Sequence, residues 1–217
     1  MSTTGPFETL TDEYDSWFSE NDGAYRAERA TLERALPDAV DDDRALEVGV
    51  GTGRFGGPLG ISLGVDAARA PLERAGDRGV APVRGVAESL PVADDALDLA
   101  LFVTVLSFVD DLEATLSEAR RVLDSDGTLV VAVLDRSSPV GQVYQEHKDE
   151  SPFYADAEFL TAGEAREALE TAGFEVETRL QTIFDDPAEI PAEGEPDVRE
   201  GHGDGLFAVF RASVGGE

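Results

Sequence analysis

The chain has 217 residues, with 46 acidic and 17 basic side chains, a net charge of −29, no cysteine and two histidines. Disulfides and thiolate metal sites are therefore excluded, and no spacing of His147 and His202 resembles a metal cage, so no metal is expected. Phosphate backbones are repelled by so acidic a surface, and nucleic acid is not an expected partner.

The N-terminus, MSTTGPFETL, has neither the basic stretch nor the apolar core of a signal peptide, and no apolar run reaches 18 residues. The expectation is a cytoplasmic chain without a membrane span. Asp12 to Leu36 reads as one or two helices: EYDSWF is aromatic-rich, and AYRAERATLERAL carries Ala, Leu and paired charges at helical spacing. Pro37 and the acidic run Asp41 to Asp43 close this segment.

Ala45 to Val50 then reads as a buried strand, Ser62 to Val65 as a second, Ala70 to Ala75 as a short helix and Ala81 to Arg84 as a third strand. ALDLALFVT, Ala96 to Thr104, is a long apolar strand after an Asp94-Asp95 turn. A helix from Asp111 to Leu123 places Leu112, Leu116, Ala119 and Leu123 on one face. Ser125 to Gly127 is a turn, and Thr128 to Leu134 a fifth strand. Thr161 and Glu164 form a capping box for a helix that Gly173 stops. FEVETRLQTIF and GLFAVFRAS are two closing strands, too near one another for a crossover helix and so antiparallel.

Strands alternating with helices imply an α/β fold. It is Rossmann-like and doubly wound, with a mostly parallel seven-stranded sheet whose last strand is antiparallel. Residues 1–40 read as an N-terminal helical cap and 41–217 as the main domain, with 135–160 inserted as a lid segment above the strand ends.

Acid is spread through every segment, and Lys148 is the only lysine against 16 arginines. This is a halophilic type of surface. At molar salt the Debye length falls to about 3 Å, so self-repulsion is screened and the carboxylates keep the protein dispersed. An acidic patch that draws in a cation is the other reading. Stability is expected to fall in dilute buffer; a melting temperature flat from dilute buffer to molar KCl excludes the high-salt reading.

In LEVGVGTGRF the glycines stand at 49, 51 and 53. The dinucleotide fingerprint needs its third glycine where Arg54 stands, and no Gly-Lys-Ser/Thr follows for a phosphate loop. Glu47 beside the turn receives a pyrophosphate poorly and suits a cationic ligand. Asp66 ends the second strand, 19 residues after Glu47, where a carboxylate accepts from both ribose hydroxyls. A ribose with a cationic, phosphate-free head describes S-adenosylmethionine.

ALEVGVGTGRF, GVDAA, GVAESLPVADDALDLALFVTVLSFVDD and EARRVLDSDGTLVVAVLD, in this order, resemble the class I S-adenosylmethionine-dependent methyltransferases. YDSWF, DRSSPVGQVYQEH, SPFY and GFEV extend the likeness to a small uncharacterised prokaryotic subgroup. The resemblance implies an enzyme of the EC 2.1.1 type, with S-adenosylmethionine as methyl donor and S-adenosylhomocysteine as product. Gly49, Gly51 and Gly53 would let the backbone approach the methionine part of the cofactor. Glu47 would hold its amino group, or else cap the turn amides. Asp66 would take the ribose. The family's adenine-contacting Asp is replaced by Val86, leaving the Ala87 amide and Glu88. Val103 and Thr104 would face the methionine end, with Phe108 near the adenine or in the core. Only eight residues separate the turn from the second strand, so the usual long first helix must be short.

Methyl transfer needs a base only when the nucleophile arrives protonated. Asp135, Tyr144 and His147 are the catalytic candidates, and Tyr14, Trp17 and Tyr154 the candidate walls for a small-molecule methyl acceptor. Aromatics with carboxylates suit a small cationic amine. The competing readings are a nicotinamide-dependent oxidoreductase and a non-catalytic cofactor-binding protein.

Overall fold

The computed structural model describes residues 4–39 and 41–215. Residues 1–3 and 40 of the expected cap, and 216–217 at the far end, lie outside the described residues. The chain opens with α1 (Gly5–Thr9), and two helices, α2 (Thr11–Glu20) and α3 (Asp22–Ala35), then fill the stretch from Asp12 to Leu36 where one or two were expected. Pro6 lies in the first turn of α1, where its missing N–H leaves no bond unmade. Along α3, Ala24, Ala27, Thr31, Leu32 and Ala35 are buried, while Arg29 pairs with Glu33 on the outer face. Glu28 stands inside the buried stripe.

The strands are β1 (Ala45–Val48), β2 (Leu63–Asp66), β3 (Ala81–Arg84), β4 (Leu97–Val103), β5 (Leu123–Leu134), β6 (Phe174–Thr182), β7 (Arg199–Glu200) and β8 (Phe207–Val214). They form one eight-stranded sheet in the order β3-β2-β1-β4-β5-β8-β6-β7. β1 to β5 are parallel; β8 runs antiparallel between β5 and β6. The Rossmann-like α/β fold is therefore present, and the two-residue edge strand β7 adds an eighth strand to the expected seven. β1 ends at Val48, two residues earlier than expected, because Gly49 takes a positive φ of 73° and turns the chain. The Ser125–Gly127 turn lies within β5, where the pairing with β4 jumps from Leu123 to Thr128.

The remaining helices are α4 (Gly56–Leu59), α5 (Arg69–Asp77), α6 (Leu112–Val122), α7 (Pro139–His147) and α8 (Ala162–Thr171). Thr161 and Glu164 form the capping box of α8, and Gly173 follows its end with φ 85°. Side chains alternate between two cores, as the strand period of two requires. Leu46, Phe102, Val131 and Phe210 pack on one face with Leu116 of α6 and Leu169 of α8. Leu99, Leu101, Val130 and Phe207 pack on the other with Leu32 of α3 and Phe18 of α2. No helix among the described residues is long and apolar enough to cross a membrane.

The chain winds outward in both directions from β1 and β4. A crevice therefore opens at their carboxyl ends, where the strand order reverses. The glycine turn follows β1, and Thr104 follows β4.

Candidate active site

At this switch point lies a cleft of about 480 Å³. Its walls include Gly49, Gly51, Asp66, Ala87, Glu88, Val103 and Thr104; of the expected cofactor residues, Glu47 and Gly53 stand behind the wall. Gly49, Gly51 and Gly53 have φ of 73°, 52° and 77°, which residues with a Cβ adopt only under strain. A Cβ on Gly49 would also lie 2.5 Å from Val105, and one on Gly53 3.0 Å from the backbone of Ala75. The turn amides are already engaged: Gly49 and Val50 donate to the Val65 carbonyl, Gly53 to Val50, and Gly51 to Asp66. The glycines thus provide close approach of the backbone rather than a set of free amides.

Asp66 is braced at both oxygens. Oδ2 accepts from the Gly51 N–H and Oδ1 from the Ala68 N–H, each at 2.8 Å. Burial pushes this carboxyl above its ordinary value, and the two amides partly offset that. Each oxygen keeps a further lone pair for a donor in the cleft. Glu47 is 1% exposed, and its Oε2 accepts from the Gly56 N–H at 2.8 Å. It thereby takes up the first amide of α4, a helix of only four residues, as the short link to β2 demanded. Burial, with the charge of Asp66 adding, raises Glu47 to about 8. Glu88 accepts from the Asp110 N–H at 2.8 Å, tying the loop after β3 to the loop after β4. Val86, which stands where the resemblance implies an aspartate, is 47% exposed and lines the cleft.

The N-terminal helices cover this cleft. Glu8 of α1 accepts from the Arg69 and Ala70 amides at 2.6 and 3.0 Å, capping α5 from outside. Asp15 of α2 accepts from Thr52 and Arg54 at 2.8 Å and from Arg78 at 2.7 Å. Burial alone would raise the Asp15 carboxyl, but these donors hold it down to about 2. Sequence reasoning missed this clamp, which explains Thr52 and Arg54 in the glycine turn. The signal was the unexplained Arg54 itself.

A second chamber, of about 640 Å³, adjoins the first. The walls carry Tyr14, Trp17, Tyr144, His147 and Tyr154, all candidates from sequence. Tyr144 and Tyr154 face one another with ring centroids 5.9 Å apart. Burial pushes the Tyr144 phenol to about 12 and raises Tyr14 and Tyr154 as well, so all three act as donors at neutral pH. His147 is exposed, with Nδ1 3.0 Å from the Val143 carbonyl. Asp135 is not brought to the chamber. It is fully buried, and its Oδ1 accepts from the Ser137 amide and hydroxyl at the turn that opens α7. The chain bends inward there because Ser138 caps α7 and Pro139 starts it.

Phe7, Tyr14, Thr104 and Phe108 line both spaces. Thr104 has φ 57°, a left-handed conformation costing roughly 1–3 kcal/mol in a residue with a Cβ, and such strain concentrates at functional positions. Sequence reasoning also missed Glu28, which is 5% exposed on the chamber wall. Burial raises its carboxyl to about 8, and among the described residues no hydrogen bond or ion pair of the protein reaches it.

A methyltransferase domain family matches residues 46–131, from β1 into β5. The chain is also similar to a Thermotoga maritima protein whose crystal structure is described as that of a SAM-dependent methyltransferase, possible histamine N-methyltransferase. The two share 39% identity and a TM-score of 0.91, over 97% of this chain and 99% of that one. This chain belongs to the S-adenosylmethionine-dependent methyltransferases. An uncharacterized protein of Methanocaldococcus jannaschii is 39% identical over 95% of this chain and 97% of its own length. A Geobacter sulfurreducens malonyl-[acyl-carrier protein] O-methyltransferase is 30% identical over 81% of this chain and 71% of its own. The cofactor is S-adenosylmethionine, which removes the nicotinamide reading. The cleft suits it: a braced carboxylate for ribose, a close-approach turn and space for an uncharged purine beside Val86.

Proposed function

We propose that this chain moves a methyl group from S-adenosylmethionine to a small-molecule acceptor, a transfer of the EC 2.1.1 type, with the donor in the cleft and the acceptor in the second chamber. The observation that carries this reading is the shared wall. Phe7, Tyr14, Thr104 and Phe108 line both spaces, so the two adjoin at these residues, which would flank the point where the methyl group and the acceptor come into contact. Bound S-adenosylmethionine supplies a methyl group on a cationic sulfur, already activated for displacement. What the chain contributes is alignment and exclusion of water.

Asp66 takes the ribose hydroxyls, already oriented by Gly51 and Ala68. Gly49 and Gly51 let the methionine part lie against backbone, with Glu47 and Gly53 supporting that backbone from behind. Ala87 and Glu88 border the adenine, and Val103 and Thr104 the methionine end. The N-terminal helices act as a cap and residues 135–160 as a lid, excluding water. Both volumes fall in the range of small-ligand sites, roughly 300–1,000 Å³. A metabolite therefore fits better than a nucleic acid, which the acidic surface also repels. The acid-rich surface supports work at high salt, and dependence on an intracellular metabolite supports a cytoplasmic place.

The Thermotoga protein's description points to nitrogen as receiving atom and the Geobacter protein's name to oxygen, so both belong in the test. Purified chain in molar KCl is incubated with S-adenosylmethionine and a panel of small amines, alcohols and carboxylic acids, and S-adenosylhomocysteine release is followed by mass spectrometry. Acceptor-dependent release is expected. Binding of S-adenosylhomocysteine with no release across the panel favours the non-catalytic reading, and no binding overturns the assignment of the cleft.

A further inference from the structure

We infer that Glu28 selects the acceptor, and that the acceptor is a small molecule carrying a protonated amine. The word acceptor rests on the methyl-transfer reading; the ligand chemistry rests on the chamber alone.

Glu28 occupies a position where every neighbour on its helix face is apolar or small: Ala24, Ala27, Thr31, Leu32 and Ala35. A carboxylate there is costly unless something compensates it. The nearby arginines and the lysine of the chamber wall are engaged elsewhere. Arg29, the next residue, pairs with Glu33; Arg26 donates to the Gly194 carbonyl; Lys148, itself on the chamber wall, donates to the Ala157 carbonyl at 2.9 Å. The Glu28 carboxylate nevertheless faces a chamber of about 640 Å³. Trp17, Tyr144 and Tyr154 complete its surroundings, and aromatic faces attract cations while supplying apolar contact for a carbon skeleton. Before a ligand binds, burial keeps a proton on Glu28; an ammonium donates hydrogen bonds to this carboxyl among aromatic rings and supplies the missing charge, so the proton is released as the amine docks. A neutral hydroxyl supplies no charge to offset ionising Glu28 and binds weakly, and a carboxylate-bearing acceptor brings a second negative charge into the buried wall with no cation beside it.

Trp17 is the only tryptophan and lies on the chamber wall, so its fluorescence reads occupancy directly. The test uses the full chain in molar KCl, first titrated calorimetrically with S-adenosylhomocysteine. It is then followed by Trp17 fluorescence with phenethylamine, 2-phenylethanol and phenylacetate, which share a ring and differ in the head group. Phenethylamine is expected to bind about ten- to a hundredfold more tightly than the alcohol, the scale of a hydrogen bond to a charged group, with the acid weakest. Glu28→Gln should abolish that preference and leave S-adenosylhomocysteine affinity unchanged. Glu28→Asp, which keeps an ionisable carboxyl, should retain part of the preference. Equal binding of amine and alcohol, no binding of the amine, or an amine preference that survives Glu28→Gln overturns the inference. Failure of S-adenosylhomocysteine to bind overturns the methyl-transfer reading instead, while the three head groups still test Glu28.

Discussion

The cleft at the switch point takes most of its walls from strand ends and the turns after them, between Val48 and Asp110, whereas the second chamber gathers Trp17, Glu28, Tyr144, Tyr154, Ile183 and Leu206 from distant parts of the chain. Their carboxylates differ in the same way. Asp66 is held by two amides and Glu47 by one, while among the described residues no protein donor reaches Glu28. A ligand common to a whole family can be met by backbone geometry, which survives sequence change. One that differs between relatives must be met by side chains, and here one polar group is left for the ligand to satisfy.

The largest expected effect separates the two buried glutamates from the rest of the acidic surface. Glu28 and Glu47 are each pushed by burial from 4.5 up to about 8. Tyr14, Tyr144 and Tyr154 are the titratable groups that feel Glu28, and Asp66 is the charge beside Glu47. In both cases the folded state holds a proton that the unfolded chain releases. The stability this contributes is complete below pH 4.5 and is lost as the pH rises through 8. Between pH 5 and 8 the loss is at most about 4 kcal/mol for each group. Urea unfolding across that range at constant molar KCl should show a slope that Glu28→Gln and Glu47→Gln each flatten. A wild-type profile no steeper than those of the variants contradicts both assignments.

Next in size is Asp66→Ala. It removes the expected ribose acceptor and the brace on Gly51, and S-adenosylhomocysteine affinity should fall by about 3 kcal/mol, more than a hundredfold. Calorimetry reads this directly. The comparison between spaces sharpens if phenethylamine binding in the chamber is unchanged, and breaks if both ligands are lost together. Asp15→Ala is expected to reach both, because α2 supplies Tyr14 to each space. Its partners Arg54 and Arg78 keep 21% and 29% side-chain exposure and can turn toward water. The expected loss is therefore about 2 kcal/mol of stability, below that of a fully buried pair. Denaturation in urea measures it.

The legible part of the sequence follows this division. The strand–glycine–strand series fixes the cleft because each element is local: Gly49 must turn the chain after β1, and Asp66 must end β2 beside it. The chamber depends on tertiary packing. Asp135 follows a strand directly and so looked exposed to the site, yet Ser138 and Pro139 turn the chain inward there. Glu28 was read among the paired charges of an amphipathic helix. Arg29 and Glu33 do pair outside, but the Ala24–Glu28–Thr31–Ala35 spacing puts Glu28 on the inner face. That periodicity was present in the sequence; what the residue faced was not. The clamp on Asp15 joins positions 39 and 63 residues apart, beyond any local pattern.

The smallest effect asks how far backbone alone carries the cleft. Val86 stands where the resemblance places an aspartate against the adenine, and it is 47% exposed on the cleft wall. If Ala87 and the strand ends already seat the purine, Val86→Asp adds one hydrogen bond to a complete site. Its net worth is then about 1 kcal/mol, roughly a fivefold tightening for S-adenosylhomocysteine. Glu88 opposes the gain, because it lies two residues on and already accepts from Asp110, so a second carboxylate is introduced beside it. Molar KCl screens that repulsion at an exposed position, so the tightening should be larger at high salt than in dilute buffer. Calorimetric titrations at the two salt concentrations decide the matter. Weaker binding in both places the adenine away from the loop after β3, and the cleft must then be filled in another orientation.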